Sequence, residues 1–359
     1  MRTHASRIAV GFLAVVLSAQ AAGGLDAGKV REIERLVTGL MAQRRIPGLS
    51  VAVATSNQLC WSKGYGMADL ENSVSARAST VYRIASISKP ITAVAVMQLA
   101  EKGRLNLDAP IREYVPAFPE KPWPVTCRQL LSHQGGIRHY RDASETGNTR
   151  HYWTLAEALP LFKNDPLLFA PGSRFGYSTY GYLLLGLAVE NAGKKKFVTY
   201  LNESVFKPAG MGHTRVDDVF DVIPNRTRGY RLTRAGEIQN CLMADSSYKI
   251  PGGGLASTVG DLVQFATAVN RGTLLKADSV KKMFARQQTT TGRLTHYGLG
   301  WYIREMDGKT LVYHNGLQPG VSTLLLLSPS AQAAVAVLAN LENVDLLPLA
   351  LELIMVAAR

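Results

Sequence analysis

The residues best suited to chemistry in this sequence are a serine and a lysine three positions apart, Ser86 and Lys89. If a helix begins at Ser86, the two side chains lie one turn apart on the same face, so a hydroxyl and an amine point toward one spot. A serine hydroxyl is a poor nucleophile until a base removes its proton. Lys89 can be that base only if burial or neighbouring cations lower its pKa from about 10.4. The pair predicts nucleophilic catalysis by Ser86 with Lys89 as its base.

The Ser-x-x-Lys spacing is a weak signal by itself, because it recurs at Ser204, Ser246 and Ser279. What distinguishes Ser86 is the run of small and apolar residues over 91–99, which is typical of a helix buried on most sides. The backbone N–H of a serine at the start of such a helix can also stabilise an oxyanion. The context therefore favours Ser86 over the other three serines.

The elements that must position this pair follow from the hydrophobic pattern. Strand-like segments lie near both ends of the chain, and helical segments fill its centre. The predicted helices at the two ends cover 27–45 and 344–357, and the predicted strands cover 49–54, 60–66, 299–303, 310–313, 321–327 and 333–338. The economical arrangement is an α+β fold: one antiparallel sheet completed by both ends of the chain and flanked by the N- and C-terminal helices, with a helical domain inserted.

This arrangement predicts two domains. The sheet-containing domain is expected over 22–85 and 250–359, and the mainly helical inserted domain over 86–249. A cleft between two such parts is the natural place for a site.

The N-terminus predicts the compartment. Arg2 and Arg7 flank a short basic segment, which an unbroken apolar run over 8–17 follows. Ala19-Gln20-Ala21 then supplies the small residues that a signal peptidase recognises. Ten apolar residues are too few to span a bilayer, which takes about 20 in a helix. Residues 1–21 are therefore predicted to be a cleaved signal peptide, and the mature protein to be periplasmic or secreted.

The charge balance gives little evidence of a macromolecular partner. The chain has a formal net charge of +13, and removing residues 1–21 takes away two arginines and no acid, which leaves +11. There is no nucleic-acid motif, so a solvated basic surface is the main interpretation and association with an anionic envelope surface the alternative. The expected partner is a small-molecule or peptide substrate, and the oligomeric state stays open.

Three widely spaced cysteines, Cys60, Cys127 and Cys241, exclude a disulfide scaffold and leave any pairing open. His133 and His139 are too isolated to suggest a zinc site and are assigned structural roles.

Three motifs carry a resemblance to a known family. They are Ser86-Ile87-Ser88-Lys89, the Tyr177-Ser178-Thr179 portion of 172–184, and His314-Asn315-Gly316. In order and spacing they resemble the motifs of the serine beta-lactamase and penicillin-binding-protein superfamily, and most of all its class C branch. That branch includes beta-lactamases, D-alanyl peptidases, family VIII esterases and mitochondrial beta-lactamase-like proteases. The likeness extends over nearly the whole mature chain.

The resemblance implies a role for each motif. Ser86 would be acylated, Lys89 would be its base, and Tyr177 would relay protons between Ser86 and the leaving group. His314 would stand on a strand edge beside the cleft, and Leu317 would offer the second oxyanion N–H. No metal or cofactor is expected, because Ser86 and Lys89 do what a metal-bound hydroxide would do.

Two departures bear on the substrate. Family members that cleave beta-lactams usually carry Asn where this chain has Thr179, and a single hydroxyl cannot donate and accept as an amide does. His314-Asn315-Gly316 replaces Lys-Thr-Gly, which removes a fixed positive charge at neutral pH. Both changes weaken the expectation of beta-lactamase activity.

The sequence thus predicts an exported serine hydrolase that forms an acyl-enzyme on Ser86 and cleaves esters or amides, such as peptides, carboxylic esters or, weakly, beta-lactams. The alternative is a catalytically weak or inactive relative that binds peptidoglycan fragments or a protein partner. The presence of Ser86, Lys89 and Tyr177 together argues against that alternative.

Overall fold

A seven-stranded antiparallel sheet is the centre of the computed structural model, which describes residues 24–358. The predicted signal peptide lies outside the described residues. The strands are β1 (Gly48–Thr55), β2 (Gln58–Asp69), β3 (Val74–Ser75), β4 (Tyr82–Arg83), β5 (Arg215–Val216), β6 (Tyr230–Leu232), β7 (Ile238–Asn240), β8 (Leu255–Ser257), β9 (Tyr302–Met306), β10 (Lys309–Gln318), β11 (Val321–Ser328) and β12 (Ala333–Ala339).

Both ends of the chain build the large sheet, as predicted. Its strand order is β3-β2-β1-β12-β11-β10-β9, so the first long strand pairs with the last one. The register of that pair runs from Leu49 opposite Ala339 to Ala54 opposite Ala334. The remaining strands form a three-stranded sheet, β4-β8-β5, and a two-stranded one, β6-β7. The predicted α+β class with an antiparallel sheet is confirmed.

Helices cover both faces of the sheet. The α-helices are α1 (Ala27–Arg44), α2 (Ser88–Glu101), α3 (Cys127–Leu131), α4 (Ala143–Thr146), α5 (Leu155–Ala158), α6 (Thr179–Gly193), α7 (Phe197–Leu201), α8 (Lys207–Ala209), α9 (Ile250–Gly253), α10 (Val259–Asn270), α11 (Ala277–Met283) and α12 (Leu347–Ala358). Short 3-10 helices cover Ala85–Ile87, Ile111–Glu113, Leu159–Leu161 and Ser247–Lys249, and a π-helix covers Asn202–Phe206. Among the described residues, no helix combines the length and the apolar character needed to cross a membrane.

Alternate residues of the central strands face two different cores, because side chains alternate across a strand. Val51 of β1 packs in the core that contains α1 and α12. Its neighbour Ala52 packs in the larger core that contains α2, α6 and α10. Helix α2, which carries Lys89, is thus held between the sheet and the helical centre of the chain, and its residues from Ser88 to Leu99 are all buried.

The details differ from the predictions in two places. The strand expected over 299–303 begins only at Tyr302, because Gly300 adopts the left-handed region, with φ +92°. The strand expected over 310–313 continues to Gln318, which places residues 314–318 on extended backbone. The proposed domain division at residues 85/86 and 249/250 stays a prediction.

Candidate active site

The predicted nucleophile and base meet at the start of α2. Ser86 lies in the 3-10 turn Ala85–Ile87, and Lys89 lies in the first turn of the α-helix that follows. Lys89 Nζ is 3.0 Å from Ser86 Oγ. The Lys89 side chain is fully buried, whereas Ser86 is partly exposed. The hydroxyl is therefore open to a substrate while its base is shielded from water.

Two further oxygen atoms surround the Lys89 amine. It donates to the carbonyl oxygen of Gly252 at 2.7 Å and lies 3.2 Å from Thr179 Oγ1. Burial, and after it the charge of Lys249, lowers the pKa of Lys89 well below the usual lysine value. A neutral amine has two N–H groups and one lone pair. If the two N–H groups are used on Gly252 and Thr179, the lone pair faces Ser86 Oγ, as a general base requires.

The backbone around Ser86 is fixed by neighbouring side chains. Ala85 has φ +46°, in the left-handed region that a non-glycine residue rarely adopts. Ser88 Oγ donates to the Ala85 carbonyl at 2.8 Å, and Thr323 Oγ1 donates to the Ile84 carbonyl at 3.0 Å. Such strain persists only where the surroundings over-determine it, and it is typical of active sites.

Tyr177 lies beside this pair, with its ring centroid 4.7 Å from Lys89 Nζ. Burial and the neighbouring Tyr302 raise the pKa of Tyr177 well above its usual value, although a hydrogen bond with Ser86 acts in the opposite direction. The phenol therefore keeps its proton at neutral pH and can donate it.

His133 holds the loop that carries Tyr177. The His133 ring packs on the Tyr177 ring at 4.2 Å between centroids. Its backbone carbonyl accepts from Gly176 N at 2.7 Å, and its Nδ1 accepts from Ser178 N at 3.1 Å. His139 Nδ1 likewise accepts from Thr179 N at 3.3 Å. Both histidines thus position the tyrosine motif, in agreement with the structural role assigned from the sequence.

His314 does not present a polar group to the open cleft. Its side chain is fully buried, and Nδ1 donates to the Asn315 carbonyl at 2.6 Å. Nε2 is then left to accept from Tyr297 OH at 2.9 Å. Burial, and after it the charge of Lys89, lowers the pKa of His314 to about 3. The side chain is neutral at physiological pH, so it supplies no positive charge for a substrate carboxylate.

The strand that carries His314 has an open edge at the site. Strand β9 pairs with β10 only as far as Tyr313, so residues 314–318 are paired on one side, with β11. Leu317, which the resemblance assigned to the oxyanion site, is half-exposed and lines the cleft beside Ser86. Asn315 is exposed but is not among the residues that line this cleft.

Gly316 explains how closely β10 approaches the nucleophile. A Cβ atom at this position would lie 2.5 Å from the Ile84 carbonyl oxygen and 2.4 Å from Thr323 Oγ1. Only glycine leaves room for the strand to touch the turn that holds Ser86.

The cleft contains residues that the sequence did not single out for chemistry. Its lining consists of Ala85, Ser86, His139, Tyr140, Thr146, Thr179, Lys249, Gly252, Gly253, Leu317, Gln318 and Pro319. The carbonyl of Gly252 is the missed partner of Lys89, and Lys249 is a missed second lysine. The Gly252-Gly253-Gly254 run was a usable signal for both, since such a run lets backbone approach a site closely.

The described part of the chain offers no other obvious chemistry. Within residues 24–358, no group of three His, Cys, Asp or Glu side chains could hold a metal ion. The cysteines Cys60, Cys127 and Cys241 are free thiols. Burial raises the pKa of the Cys127 thiol to about 12, which makes it a poor nucleophile.

Comparisons with known proteins identify the family of this chain. The family model described as Beta-lactamase matches residues 33–358. The human serine beta-lactamase-like protein LACTB, mitochondrial, is 36% identical over 291 residues, which is 62% of this chain and 53% of the relative. The chain thus spans about half the length of this curated relative.

Solved structures share the fold. The octameric penicillin-binding protein homologue from Pyrococcus abyssi superposes with a TM-score of 0.78 at 26% identity, over 89% of this chain and 75% of that one. EstCE1, described as a hydrolase with promiscuous acyltransferase activity, has a TM-score of 0.79 at 22% identity, over 92% of this chain and 98% of that one. At that identity the second likeness shows the fold alone. The chain therefore belongs to the Beta-lactamase family, the serine hydrolase family that its motifs predicted.

Proposed function

We propose that the protein is an exported hydrolase that forms an acyl-enzyme on Ser86 and cleaves esters or amides. The observation that carries this proposal is the buried Lys89 amine, which lies 3.0 Å from Ser86 Oγ. A structural lysine would gain nothing from being buried with a lowered pKa and no carboxylate partner, since the desolvation of its charge costs free energy.

Acylation follows from the positions of three side chains and two backbone N–H groups. Ser86 Oγ attacks the substrate carbonyl carbon while Lys89 Nζ takes the hydroxyl proton. The backbone N–H groups of Ser86 and Leu317 receive the oxyanion that forms. The C–O or C–N bond to the leaving group then breaks, and the proton passes from Lys89 through the Tyr177 hydroxyl to that group. In deacylation, water attacks the acyl carbon, the bond from that carbon to Ser86 Oγ breaks, and the proton lost by the water returns to Oγ to restore the free serine.

The surroundings of Thr179 favour esters over beta-lactams. Its hydroxyl oxygen accepts from Lys89 Nζ at 3.2 Å, which leaves the single O–H to donate to a substrate. Thr179 has no second polar atom with which to bind the amide of a beta-lactam side chain. An ester substrate does not need that contact.

Labelling with a fluorophosphonate probe tests the acyl-enzyme directly. We expect mass spectrometry of the digested protein to find the probe on the peptide that contains Ser86. The Ser86→Ala variant should remain unlabelled, and Ser204→Ala, which removes another Ser-x-x-Lys serine, should label like wild type. Equal labelling of wild type and Ser86→Ala would refute the proposal and favour a non-catalytic binding protein.

The substrate class is tested by parallel assays of a p-nitrophenyl ester, a chromogenic cephalosporin and a D-Ala-D-Ala peptide. We expect the ester to turn over fastest, with each activity absent from Ser86→Ala. Rapid cephalosporin hydrolysis by the wild type would contradict the argument from Thr179.

Export is a separate part of the proposal and rests on the pattern of residues 1–21. A fusion of these residues to a reporter that folds only outside the cytoplasm should be active, and the mature product should begin after Ala21. A reporter that stays inactive would refute export and would leave the hydrolase proposal unaffected.

A further inference from the structure

The cleft contains a second lysine whose charge the proposed mechanism does not use. Lys249 is 4% exposed, and it belongs to one of the Ser-x-x-Lys matches that the sequence favoured less than Ser86. Its alkyl chain crosses Gly253, where a Cβ atom would meet Lys249 Cδ at 3.5 Å and Cε at 3.8 Å. The same Cβ position is 3.8 Å from the Ala85 carbonyl carbon. The lysine therefore runs alongside the peptide that holds the nucleophile.

The Lys249 amine has aromatic neighbours in place of hydrogen-bond partners. Its Nζ lies 5.2 Å from the Tyr248 ring centroid and 5.7 Å from that of Tyr140. Across the described residues 24–358, no hydrogen bond or ion pair from this Nζ is present. Aromatic faces stabilise a cation only modestly, so the ammonium keeps donors for a further acceptor.

The two carboxylates whose charges act on Lys249, Asp217 and Asp245, already contact other groups. Asp217 forms ion pairs with Arg83, at 2.8 Å, and with Arg226. Asp245 pairs with His151 at 2.8 Å and accepts from Ser247 N at 2.7 Å. Both act on Lys249 only at longer range. The cleft thus contains a positive charge without a counter-ion in contact.

Lys249 remains mostly charged at neutral pH. Burial, and after it the charge of Arg83, lowers its pKa to about 8. Lys249 therefore supplies the positive charge that His314 does not provide. His314 is neutral and buried, and its Nε2 accepts a hydrogen bond from Tyr297 OH.

The position of Lys249 in the cleft indicates which part of a substrate it would contact. It lines the cleft together with Tyr140 and with Thr179, which stands at the position where beta-lactam-cleaving family members carry the Asn that contacts the acyl side chain. Tyr177 protonates the leaving group in the proposed mechanism. The portion of the substrate beside Lys249 is then the acyl portion.

We propose that Lys249 is a specificity-determining residue that binds an anionic group, above all a carboxylate, on the acyl portion of the substrate. This inference rests on the proposed acylation of Ser86. It assigns carboxylate recognition to a residue outside the three sequence motifs.

Two esters with equal acyl chains test the proposal. Mono-p-nitrophenyl adipate ends in a carboxylate, and p-nitrophenyl hexanoate has the same six carbons without it. The measured quantity is the ratio of their kcat/KM values. A change in the pKa of Lys89 would alter both values by the same factor and would therefore leave their ratio unchanged. One charge-assisted contact is worth about 1.5–3 kcal/mol, so Lys249→Met should lower this ratio at least about tenfold.

Two further variants control for other effects. Lys249→Arg keeps the charge and should retain most of the preference. Lys309→Met removes an exposed lysine at the far end of β10, roughly 25 Å from Leu317 by strand geometry, and should leave the ratio unchanged. An unchanged ratio in Lys249→Met, or in the uncharged Lys249→Gln if the Met variant does not fold, would overturn the proposal.

A binding measurement separates this proposal from the hydrolase proposal. Monomethyl adipate is titrated into Ser86→Ala and into the double variant Ser86→Ala/Lys249→Met, neither of which needs to turn over substrate. Weaker binding by the double variant is expected. If binding depends on Lys249 while the wild type hydrolyses neither ester, only the hydrolase proposal fails. If the two variants bind alike, Lys249 does not recognise the anion.

Discussion

At the scale of single residues, the site depends on two lysines, Lys89 buried beside the nucleophile and Lys249 in the lining of the cleft. Lys89 must be neutral to accept the Ser86 proton, and burial supplies the larger part of the pKa shift that makes this possible. Lys249 adds a second contribution, because a nearby cation disfavours a second positive charge. The same side chain can therefore attract an anionic substrate and help to keep the base unprotonated.

The pH dependence of kcat/KM should report the proton on Lys89. Below its pKa the amine is protonated and cannot act as a base, so the rate with an uncharged ester should rise with pH and then level off at a pH well below 10.5. Lys249→Met removes a neighbouring cation, which raises the pKa of Lys89 and moves the rising limb to higher pH. A limb that stays in place or moves to lower pH would show that Lys249 does not act on the base.

The side chain at position 179 limits the hydrogen bonds that the Tyr177-Ser178-Thr179 motif can form with a substrate. In Thr179→Asn, one end of the amide can take over the contact with Lys89 while the other end becomes free to bind an acyl amide. One added hydrogen bond of about 1 kcal/mol corresponds to roughly a fivefold gain in cephalosporin turnover relative to a p-nitrophenyl ester. The measurement is the ratio of the two kcat/KM values. A ratio that does not rise would show that Thr179 is not the residue that limits beta-lactam turnover.

At the scale of elements, the site is formed where an unpaired stretch of strand approaches a strained turn. Strand β10 loses its β9 neighbour after Tyr313, and its open edge then faces the start of α2. The backbone of Leu317 becomes available to a substrate for this reason. Neither element would form the proposed site alone, because the two proposed oxyanion donors, the N–H groups of Ser86 and Leu317, come from different elements.

The contact between these elements should tolerate no side chain at Gly316. In Gly316→Ala the new methyl group would lie 2.5 Å from the Ile84 carbonyl oxygen and 3.0 Å from Ala85 Cβ, so the strand or the turn must move. We expect a loss of about 1–3 kcal/mol in the free energy of unfolding and a fall in kcat of more than tenfold. Gly308→Ala lies in the β9–β10 turn at the far end of β10, where a new methyl group meets no atom within 4 Å, so it serves as the packing control. Some loss of stability is expected there too, because Gly308 has φ +71°. Full activity in Gly316→Ala would contradict the close approach.

At the scale of the whole molecule, a network of charged and polar groups centred on Arg138 stabilises the helical centre of the chain beside the cleft. Arg138 donates to Glu145 and to Asp165, and its own carbonyl accepts from Ser178 Oγ at 2.7 Å. This network fixes the segment that carries His139 beside Thr179.

Acid should weaken this network, because Glu145 binds Arg138 as a charged carboxylate. Burial raises the pKa of Glu145, but hydrogen bonds from Arg138, Arg141 and Tyr180 outweigh it, and the folded-state pKa is lowered. The resulting stabilisation is complete above the unfolded pKa of about 4.5 and is lost as the pH falls through the lower folded value. Glu145→Gln should therefore cost about 2 kcal/mol at pH 7 and less at pH 3.

Urea unfolding of Glu145→Gln at the two pH values measures this difference. Glu120→Gln is the matched control, because Glu120 pairs with Arg112 at 3.4 Å while its side chain is 84% exposed. An exposed pair of this kind contributes little, so the control should change by less than about 1 kcal/mol. An equal cost for both variants would mean that the Arg138 network does not stabilise the fold.

The sequence by itself determined the family, the sheet built from both ends of the chain, and the pairing of Ser86 with Lys89. These follow from local information: a fixed spacing on one helix, the alternation of apolar residues along strands, and the order of three motifs. Only the tertiary structure decided that Gly252 and Thr179 complete the surroundings of Lys89, that His314 is buried and neutral, and that Lys249 carries the positive charge of the cleft. Burial and charge at a site depend on segments far apart in sequence, and no spacing along the chain encodes which of several lysines is desolvated beside the nucleophile.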